Sequence, residues 1–139
     1  MALCSGGSGA DAEGYGFKPA PCPSSPNCVS SVDPDDPHYI APFTLTVDRA
    51  EGWSAVREAV STLPRTQIVS ESKYYLHAEC RSKVFGFVDD LELGLDGSTG
   101  VVLVRSSSRT GYSDLGVNRR RVERLRKQLV DLGVAEDLE

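Results

Sequence analysis

The sequence predicts an α+β fold, a two-layer sandwich in which an antiparallel sheet of about four or five strands carries two main helices on one face. Two observations lead to this class. Apolar residues recur at helical spacing around Trp53 and around Leu125, and they alternate at strand spacing in several segments between them. The order strand, helix, four strands, helix favours antiparallel pairing over a parallel sheet. With 139 residues, the chain has room for one modest core.

The composition divides the chain into four segments. Residues 1–20 are rich in Gly and Ser and are expected to be a flexible leader, and residues 21–42 hold most of the prolines and are expected to be extended. Residues 43–133 form the α+β domain, and residues 134–139 a C-terminal tail. No apolar run approaches the roughly 20 residues that a membrane span requires, so we expect no transmembrane segment.

The domain is expected to open with a strand over Phe43 to Val47, followed by a helix that Asp48 caps with Glu51 three residues on. One apolar stripe predicts the buried face of this helix, and Pro64 is expected to end it. The stripe comprises Trp53, Val56, Val60 and Leu63.

Four strands and a second helix complete the prediction. The strands run from Gln67 to Ser72, Tyr74 to Arg81, Val84 to Leu95 and Val101 to Ser107, with a D-G-S-T-G hairpin turn before the last. The closing helix begins near Asn118, and Gly133 ends it. Its buried stripe is Val122, Leu125, Leu129 and Leu132.

The formal net charge of −5 argues against general nucleic-acid binding. The charge is unevenly placed, because residues 105–127 carry eight basic and two acidic side chains. This asymmetry predicts either one basic face on an acidic protein or simply a solvated helix face.

The segment R-S-S-S-R-T-G-Y-S-D-L-G-V-N-R-R-R leads from the last strand into the closing helix. The N-terminus of a helix presents free N–H groups and a partial positive charge, and nearby Arg and Ser side chains would make an anion site there. We expect Arg105, Arg109 and Arg119 to converge at this helix end. The candidate ligand-binding residues of the segment are Arg105, Ser107, Arg109, Ser113, Asn118 and Arg119.

Polar side chains alternate with apolar ones along the middle strands. His77 and Glu79 point away from the core, and Asp90, Glu92 and Arg105 of later strands share that face if the register is regular. The face is either an ordinary solvated surface with cross-strand ion pairs or a surface for a ligand or partner. His77 and Glu79 therefore join the candidate ligand-binding residues.

Asp89 has the parity of buried residues, and a buried carboxylate is costly without a partner. We expect Asp89 to form a structural ion pair, with Arg109 or Arg119 as the natural partners, and Asp114 to pair part of the same arginine cluster. The alternative is a catalytic acid, with His77 as the base.

The cysteines leave three possibilities open. Cys22 and Cys28 flank the rigid sequence P-S-S-P-N and would form a disulfide, remain free thiols or bind a metal. The spacing is too long for a two-cysteine zinc knuckle, and we expect no metal and no cofactor. Cys80 is expected to be a packed thiol, and Cys4 lies in the leader.

Several strings of the sequence resemble one family, a domain of unknown function numbered fourteen ninety-nine. They are C-P-S-S-P-N-C-V-S-S, L-P-R, Y-L-H-A-E, F-G-F-V-D-D and S-R-T-G-Y-S-D-L-G-V-N-R, and the resemblance covers about Cys22 to Leu129. It implies a plastid, thylakoid or bacterial-envelope setting, with the cytoplasm as the alternative, and it transfers no catalytic residues. The motif positions are Cys22, Asn27, Cys28, Ser30, Ser31, His77, Glu79, Phe85, Asp89, Asp90, Arg105, Ser107, Arg109, Ser113, Asp114, Asn118 and Arg119.

These observations predict a non-catalytic accessory or binding domain that recognises a small anionic ligand or a protein partner through the Arg/Ser turn and the polar sheet face. One alternative is a small enzyme that uses His77, Glu79 and Asp89 for acid–base chemistry on an anionic substrate. Another is a structural subunit of a larger, membrane-associated and photosynthetic complex. The sequence predicts no oligomeric state.

Overall fold

A computed structural model describes residues 16–83, 85–111 and 113–138 and confirms the α+β class. The strands form one antiparallel sheet. One helix follows the second strand, and the other follows the last strand. The elements are β1 (Cys28–Ser30), β2 (Phe43–Thr44), α1 (Arg49–Ser61), β3 (Thr66–Ser72), β4 (Tyr75–Arg81), β5 (Val88–Leu95), β6 (Val101–Ser108) and α2 (Val117–Asp131).

The sheet has the strand order β1-β6-β5-β4-β3, and β2 also pairs with β6. It has six strands in the described chain, one or two more than expected. The additional strand, β1, lies in the proline-rich segment, where Val29 pairs with Ser106 and Ser30 with Arg105. Prolines flank β1 without interrupting it, so a composition rich in proline concealed a strand that completes the sheet.

Both helices pack into one core with the inward side chains of the sheet. The Asp48 carboxylate accepts the backbone N–H of Glu51 at 2.9 Å, which is the expected N-cap of α1. The expected stripe of α1 is buried from Trp53 to Leu63. In α2 the stripe ends one turn earlier than predicted, since Leu132 is 61% exposed. Leu132 is the C-cap residue of that helix, beyond the last turn that faces the sheet.

Two of the expected strands are shorter than predicted. The first is limited to Phe43–Thr44. The strand expected from Val84 begins only at Val88, and residue 84 lies outside the described residues. Before it, Ser82 closes a turn with Phe87, since the Ser82 N–H donates to the Phe87 carbonyl at 2.8 Å and the Phe87 N–H donates to Ser82 Oγ at 3.0 Å. Because of this turn, Phe85 and Phe87 precede β5 and do not belong to the strand.

Part of the expected leader is packed against the sheet. Phe17 is buried and packs against Tyr75, with the ring planes tilted by 53° and the ring centroids 5.2 Å apart. Gly94 makes room for it, because a Cβ on Gly94 would lie 2.5 Å from the Phe17 Cβ. The segment from Phe17 to Pro21 therefore covers part of the sheet face that lies opposite the helices. Residues 1–15 of the leader, with Cys4, lie outside the described residues.

The C-terminal tail and the cysteines also have defined positions. Val134 and Ala135 are buried, and Ala135 forms a bridge with Leu45, so the expected tail begins inside the fold. Cys22 and Cys28 form a disulfide with a Cα–Cα distance of 5.7 Å. Cys80 is a buried free thiol, and burial raises its pKa. None of the described helices has both the length and the apolar character to cross a membrane.

Three connections meet at one end of the sheet, which we call the groove end, and their described residues are 62–65, 82–83 with 85–87, and 109–111 with 113–116. The pairing of Thr66 with Cys80 and of Asp89 with Ser108 brings these three segments to the same end of the strands. Both helices span the sheet between this end and the opposite one. Arg49, the first residue of α1, and Leu132, after the last residue of α2, consequently lie at the far end.

Candidate functional site

The three arginines expected to converge on the Arg/Ser turn are separated. Arg105 donates to the Ala20 carbonyl at 2.9 Å and to Ser107 Oγ at 3.0 Å. Arg119 donates to the Tyr39 carbonyl at 3.0 Å. Arg109 points to the polar face of the sheet, and the expected convergence is wrong. The extended segments before β2 supply backbone carbonyls that occupy two of the guanidinium groups.

Asn118, one of the candidate ligand-binding residues, lies inside the protein. Its side chain is 0% exposed. The amide nitrogen donates to Asp114 Oδ2 at 2.7 Å, to Ser108 Oγ at 3.0 Å and to the Asn27 carbonyl at 3.2 Å. Asn118 thus ties the start of α2 to β6 and to the segment before β1. Ser113 is exposed, and its Oγ accepts the Leu115 N–H at 3.2 Å.

Asp114 acts on the backbone of α2 and pairs with none of the expected arginines. Its carboxylate accepts N–H groups from Gly116 at 2.8 Å and from Asn118 at 2.9 Å. Burial alone would raise the pKa of Asp114, but these hydrogen bonds outweigh it and hold that pKa below its ordinary value. Asp114 therefore serves as a cap for the free N–H groups of the first turn.

Asp89 is buried and paired as expected, but its partner is Arg121, and neither Arg109 nor Arg119 contacts it. Arg121 Nη2 donates to Asp89 Oδ2 at 2.8 Å, and both side chains are 13% exposed. Arg121 Nη1 also donates to Asn118 Oδ1 at 2.8 Å and to Ser106 Oγ at 3.0 Å. The helical spacing could have shown that Arg121 faces inward, since it lies three residues after Asn118 and four before Leu125, but it could not show that Asp89 lies beneath it.

The polar face of the sheet holds a closed network of side chains. His77 Nε2 lies 2.7 Å from Asp90 Oδ1, and Arg109 bridges Asp90 at 2.8 Å and Glu79 at 2.7 Å. Burial alone would raise the pKa of Asp90, but the hydrogen bonds from Arg109 and His77 lower it more, and the pKa lies below its ordinary value. Asp89 projects to the opposite face, so it cannot join His77 and Glu79 in acid–base chemistry.

This network predicts an acid-dependent loss of stability. A folded-state pKa of Asp90 below the unfolded value contributes stability above about pH 4, and that stability is lost as the pH falls through the folded-state pKa. We expect Asp90→Asn to be less stable than the wild type at about pH 6 and nearer to it at about pH 3, measured by urea unfolding. Asp131→Asn, at the exposed pair with Lys127, is the control. An equal loss at both pH values would contradict the expectation.

A basic groove with a volume of about 630 Å³ lies at the groove end. Six cationic side chains and one carboxylate line it. The apolar residues of the lining include Leu63, Pro64 and Val117. The charged lining residues are Arg65, Arg81, Arg120, Arg121, Arg124, Lys127 and Glu123.

Two features leave positive charge available to a ligand in this basic groove. Its carboxylate, Glu123, accepts from Arg126 at 2.7 Å, so its charge is already matched. Arg124 makes no hydrogen bond or ion pair within the described residues, and it is exposed. The sequence reasoning missed the basic groove, although Arg120, Arg124 and Lys127 have the spacing i, i+4, i+7 of one helix face.

A smaller cavity of about 300 Å³ lies beside the disulfide, between Cys28, His38 and Arg119. Both ring nitrogens of His38 are engaged, Nδ1 with Asp36 at 2.7 Å and Nε2 with the Ser25 carbonyl at 3.0 Å. Across residues 16–83, 85–111 and 113–138 there is no cluster of His, Cys, Asp and Glu that could hold a metal ion.

Comparison with protein families confirms the resemblance seen in the sequence. The family described as "Protein of unknown function (DUF1499)" matches residues 19–129. The match begins at the packed segment before β1 and extends through most of α2, so it covers the whole sheet and the groove end. No curated protein and no solved structure matches the chain. The chain belongs to the DUF1499 family.

Proposed function

We propose that this DUF1499 protein is a non-catalytic binding domain that holds an anionic ligand, or the acidic surface of a partner, in the basic groove. The observation that carries the proposal is the lining of the basic groove, in which Arg65, Arg120 and Arg124 form no ion pair within the described residues, on a protein whose net charge is −5. The other three cations of the lining, Arg81, Arg121 and Lys127, are paired with Glu79, Asp89 and Asp131. Such a local field attracts anions and raises their rate of encounter. The guanidinium group of Arg124 is available to a ligand without breaking a described contact.

The basic groove replaces the Arg/Ser turn as the proposed contact surface. Arg105 and Arg119 donate to backbone carbonyls, and an anion would have to displace those acceptors. Arg109 is matched by two carboxylates. The basic groove instead holds Arg65 before β3 and Arg120 and Arg124 on α2, which are exposed and form no ion pair within the described residues.

The enzyme alternative has less support from the geometry. His77 contacts Asp90, and Arg109 binds both Asp90 and Glu79. Neither the basic groove nor the smaller cavity is lined by His77, Glu79 or Asp89. Neither of these two cavities, both formed by the described residues, would bring a substrate to these groups.

The proposal predicts that reversing the charge of Arg124 weakens anion binding. With pyrophosphate and poly-L-glutamate as probes, we expect Arg124→Glu to raise the dissociation constant by about tenfold or more. Added salt should weaken the wild-type binding as well, because the lining is exposed and screened. Isothermal titration calorimetry measures both effects.

Arg49→Glu is the matched control. Arg49 is also an exposed helical arginine, but it is the first residue of α1 and lies at the end of the sheet opposite the basic groove. It changes the net charge by the same amount as Arg124→Glu. Equal loss of binding in the two variants would show that only the total charge matters and would count against the basic groove. Binding of neither probe by the wild type would contradict the proposed function. Preference for poly-L-glutamate over pyrophosphate would identify an acidic polypeptide as the ligand class.

A further inference from the structure

The turn between β4 and β5 presents two stacked aromatic rings to solvent. Phe85 is 74% exposed and Phe87 is 55% exposed, with ring centroids 5.4 Å apart. The turn has a defined shape, because Ser82 closes it with hydrogen bonds to the backbone of Phe87. Gly86 adopts φ +70°, with no other atom near its Cβ position. The rings therefore stand on a projecting turn and lie outside the core.

A third apolar side chain is exposed on the connection between β6 and α2. Leu115 is 82% exposed. Its backbone has φ +55°, in the left-handed region that non-glycine residues rarely adopt. The Leu115 N–H donates to Ser113 Oγ, and its carbonyl accepts from Arg120 Nη1 at 2.8 Å. An unfavourable backbone conformation is thus held in place with a large apolar side chain directed away from the core.

These apolar tips share the groove end with the cations of the basic groove. The Arg109 N–H donates to the Val88 carbonyl at 3.1 Å, so the β6–α2 connection runs beside the end of the phenylalanine turn. Arg81 directly precedes that turn and lines the basic groove, and Arg120 donates to the Leu115 carbonyl. Lys83, in the turn itself, is exposed. One end of the molecule therefore combines projecting apolar side chains with a surplus of positive charge.

We propose that the groove end docks on the surface of an anionic lipid bilayer, with Phe85, Phe87 and Leu115 entering the interface and the basic groove facing the headgroups. This inference rests on the proposed function and names the source of the anion. Exposed aromatic and aliphatic side chains lower their free energy in the boundary between headgroups and acyl chains. Each nearby Lys or Arg adds electrostatic attraction to acidic lipids.

The shape favours a bilayer over an acidic protein. The apolar side chains project from two separate turns, and cations lie in or next to both of them, Arg81 and Lys83 at the first and Arg120 at the second. A protein partner would need a matching pocket for each tip, whereas a fluid interface accepts all of them in one plane. The remaining surface is acidic, which orients the groove end towards a negative membrane.

The test is flotation with vesicles of phosphatidylcholine alone and vesicles with phosphatidylglycerol in equal amount. We expect the wild type to bind the anionic vesicles and to remain free of the neutral ones. The double variant Phe85→Ser/Phe87→Ser should bind anionic vesicles at least about tenfold more weakly. Leu132→Ser, which removes another exposed apolar side chain at the far end, should bind like the wild type.

A fluorescent reporter shows which end enters the bilayer. Phe85→Trp places an indole on the turn, and the natural Trp53 is buried and gives a constant background. Anionic vesicles should shift the emission of Phe85→Trp to shorter wavelength and leave that of Leu132→Trp unchanged. Circular dichroism checks that the variants are folded, and each changes only an exposed side chain.

The outcomes separate this inference from the proposed function. Pyrophosphate binding without vesicle binding would overturn the membrane inference and leave anion binding in the basic groove intact. Equal vesicle binding by the wild type and Phe85→Ser/Phe87→Ser, or equal spectral shifts in both tryptophan variants, would also overturn it. Tighter binding to poly-L-glutamate than to anionic vesicles would replace the bilayer with an acidic polypeptide. Binding to no anionic probe would contradict both proposals.

Discussion

Replacing Arg121 with methionine is expected to lower the free energy of unfolding by about 3–5 kcal/mol. Arg121 and Asp89 are both 13% exposed and share a hydrogen bond of 2.8 Å. Methionine would fill much of the same space but would leave the Asp89 carboxylate without its cation, beneath the first turns of α2. Removal of one partner from a buried ion pair costs more than the pair contributes, because the remaining charge stays desolvated.

Arg109→Met is the matched comparison. Arg109 makes more ion-pair contacts than Arg121, since it binds both Asp90 and Glu79, but its side chain is 45% exposed. Water can solvate the carboxylates that it leaves, so the expected loss is about 1 kcal/mol or less. Urea unfolding of the two variants and the wild type measures the difference. If Arg109→Met were as costly as Arg121→Met, burial would not be what makes the Asp89–Arg121 pair important.

A second substitution at Asp89 tests the same cause from the other side. In the double variant Asp89→Leu/Arg121→Met both charges are gone, and the site becomes apolar. We expect it to recover part of the stability lost in Arg121→Met, because no unpaired charge remains buried. If the double variant were less stable than Arg121→Met by as much as Asp89→Leu alone destabilises the wild type, the two residues would contribute to stability independently.

The regular parts of this fold were predictable because local sequence determines them. The stripe from Trp53 to Leu63 defines the inward face of α1, and Asp48 has the side chain that caps its start. Alternation along β4 correctly placed Leu76 and Ala78 inward and His77 outward. Each of these inferences uses residues that are close together in the chain.

The errors concern long-range contacts and competing local bonds. Alternation alone extended β5 back to Val84, but Ser82 closes a turn that ends the ladder at Val88. The partner of Asp89 depended on the rotation of α2, which brings Arg121 inward in place of Arg119. Composition suggested a flexible leader, and no local pattern reveals that Gly94 leaves space for Phe17.

The basic groove was missed for the same physical reason. Arg65 precedes β3, Arg81 ends β4 and Arg124 lies in α2, and only the antiparallel topology brings them to one end of the sheet. The sequence did show an excess of basic residues in 105–127, but it did not show which of them are neutralised. The arginines that looked most like ligands, Arg105 and Arg109, are those that the fold uses for its own contacts.

Replacing Asn118 with leucine, which is close to it in size, is expected to cost about 3 kcal/mol of unfolding free energy, since it removes the polar centre that joins α2 to β6 and to the segment before β1. The amide accepts from Ser106 at 2.6 Å and donates to the Asn27 carbonyl at 3.2 Å. A leucine leaves these groups buried with fewer partners, and each such group costs roughly 1–3 kcal/mol.

Gln128→Leu is the control for the loss of an amide in the same helix, because the Gln128 side chain makes only a long hydrogen bond of 3.4 Å to the exposed Thr62. We expect it to change stability by about 0.5 kcal/mol or less.

Asn118→Leu should also alter the acid response. Asp114, whose pKa lies below its ordinary value partly through the Asn118 amide, contributes stability above about pH 4 that is lost as the pH falls. Without that amide the pKa of Asp114 rises, so the stability gained between about pH 3 and about pH 6 should be smaller in Asn118→Leu than in the wild type. An unchanged acid response together with an unchanged unfolding free energy would mean that apolar packing alone holds the start of α2 against the sheet.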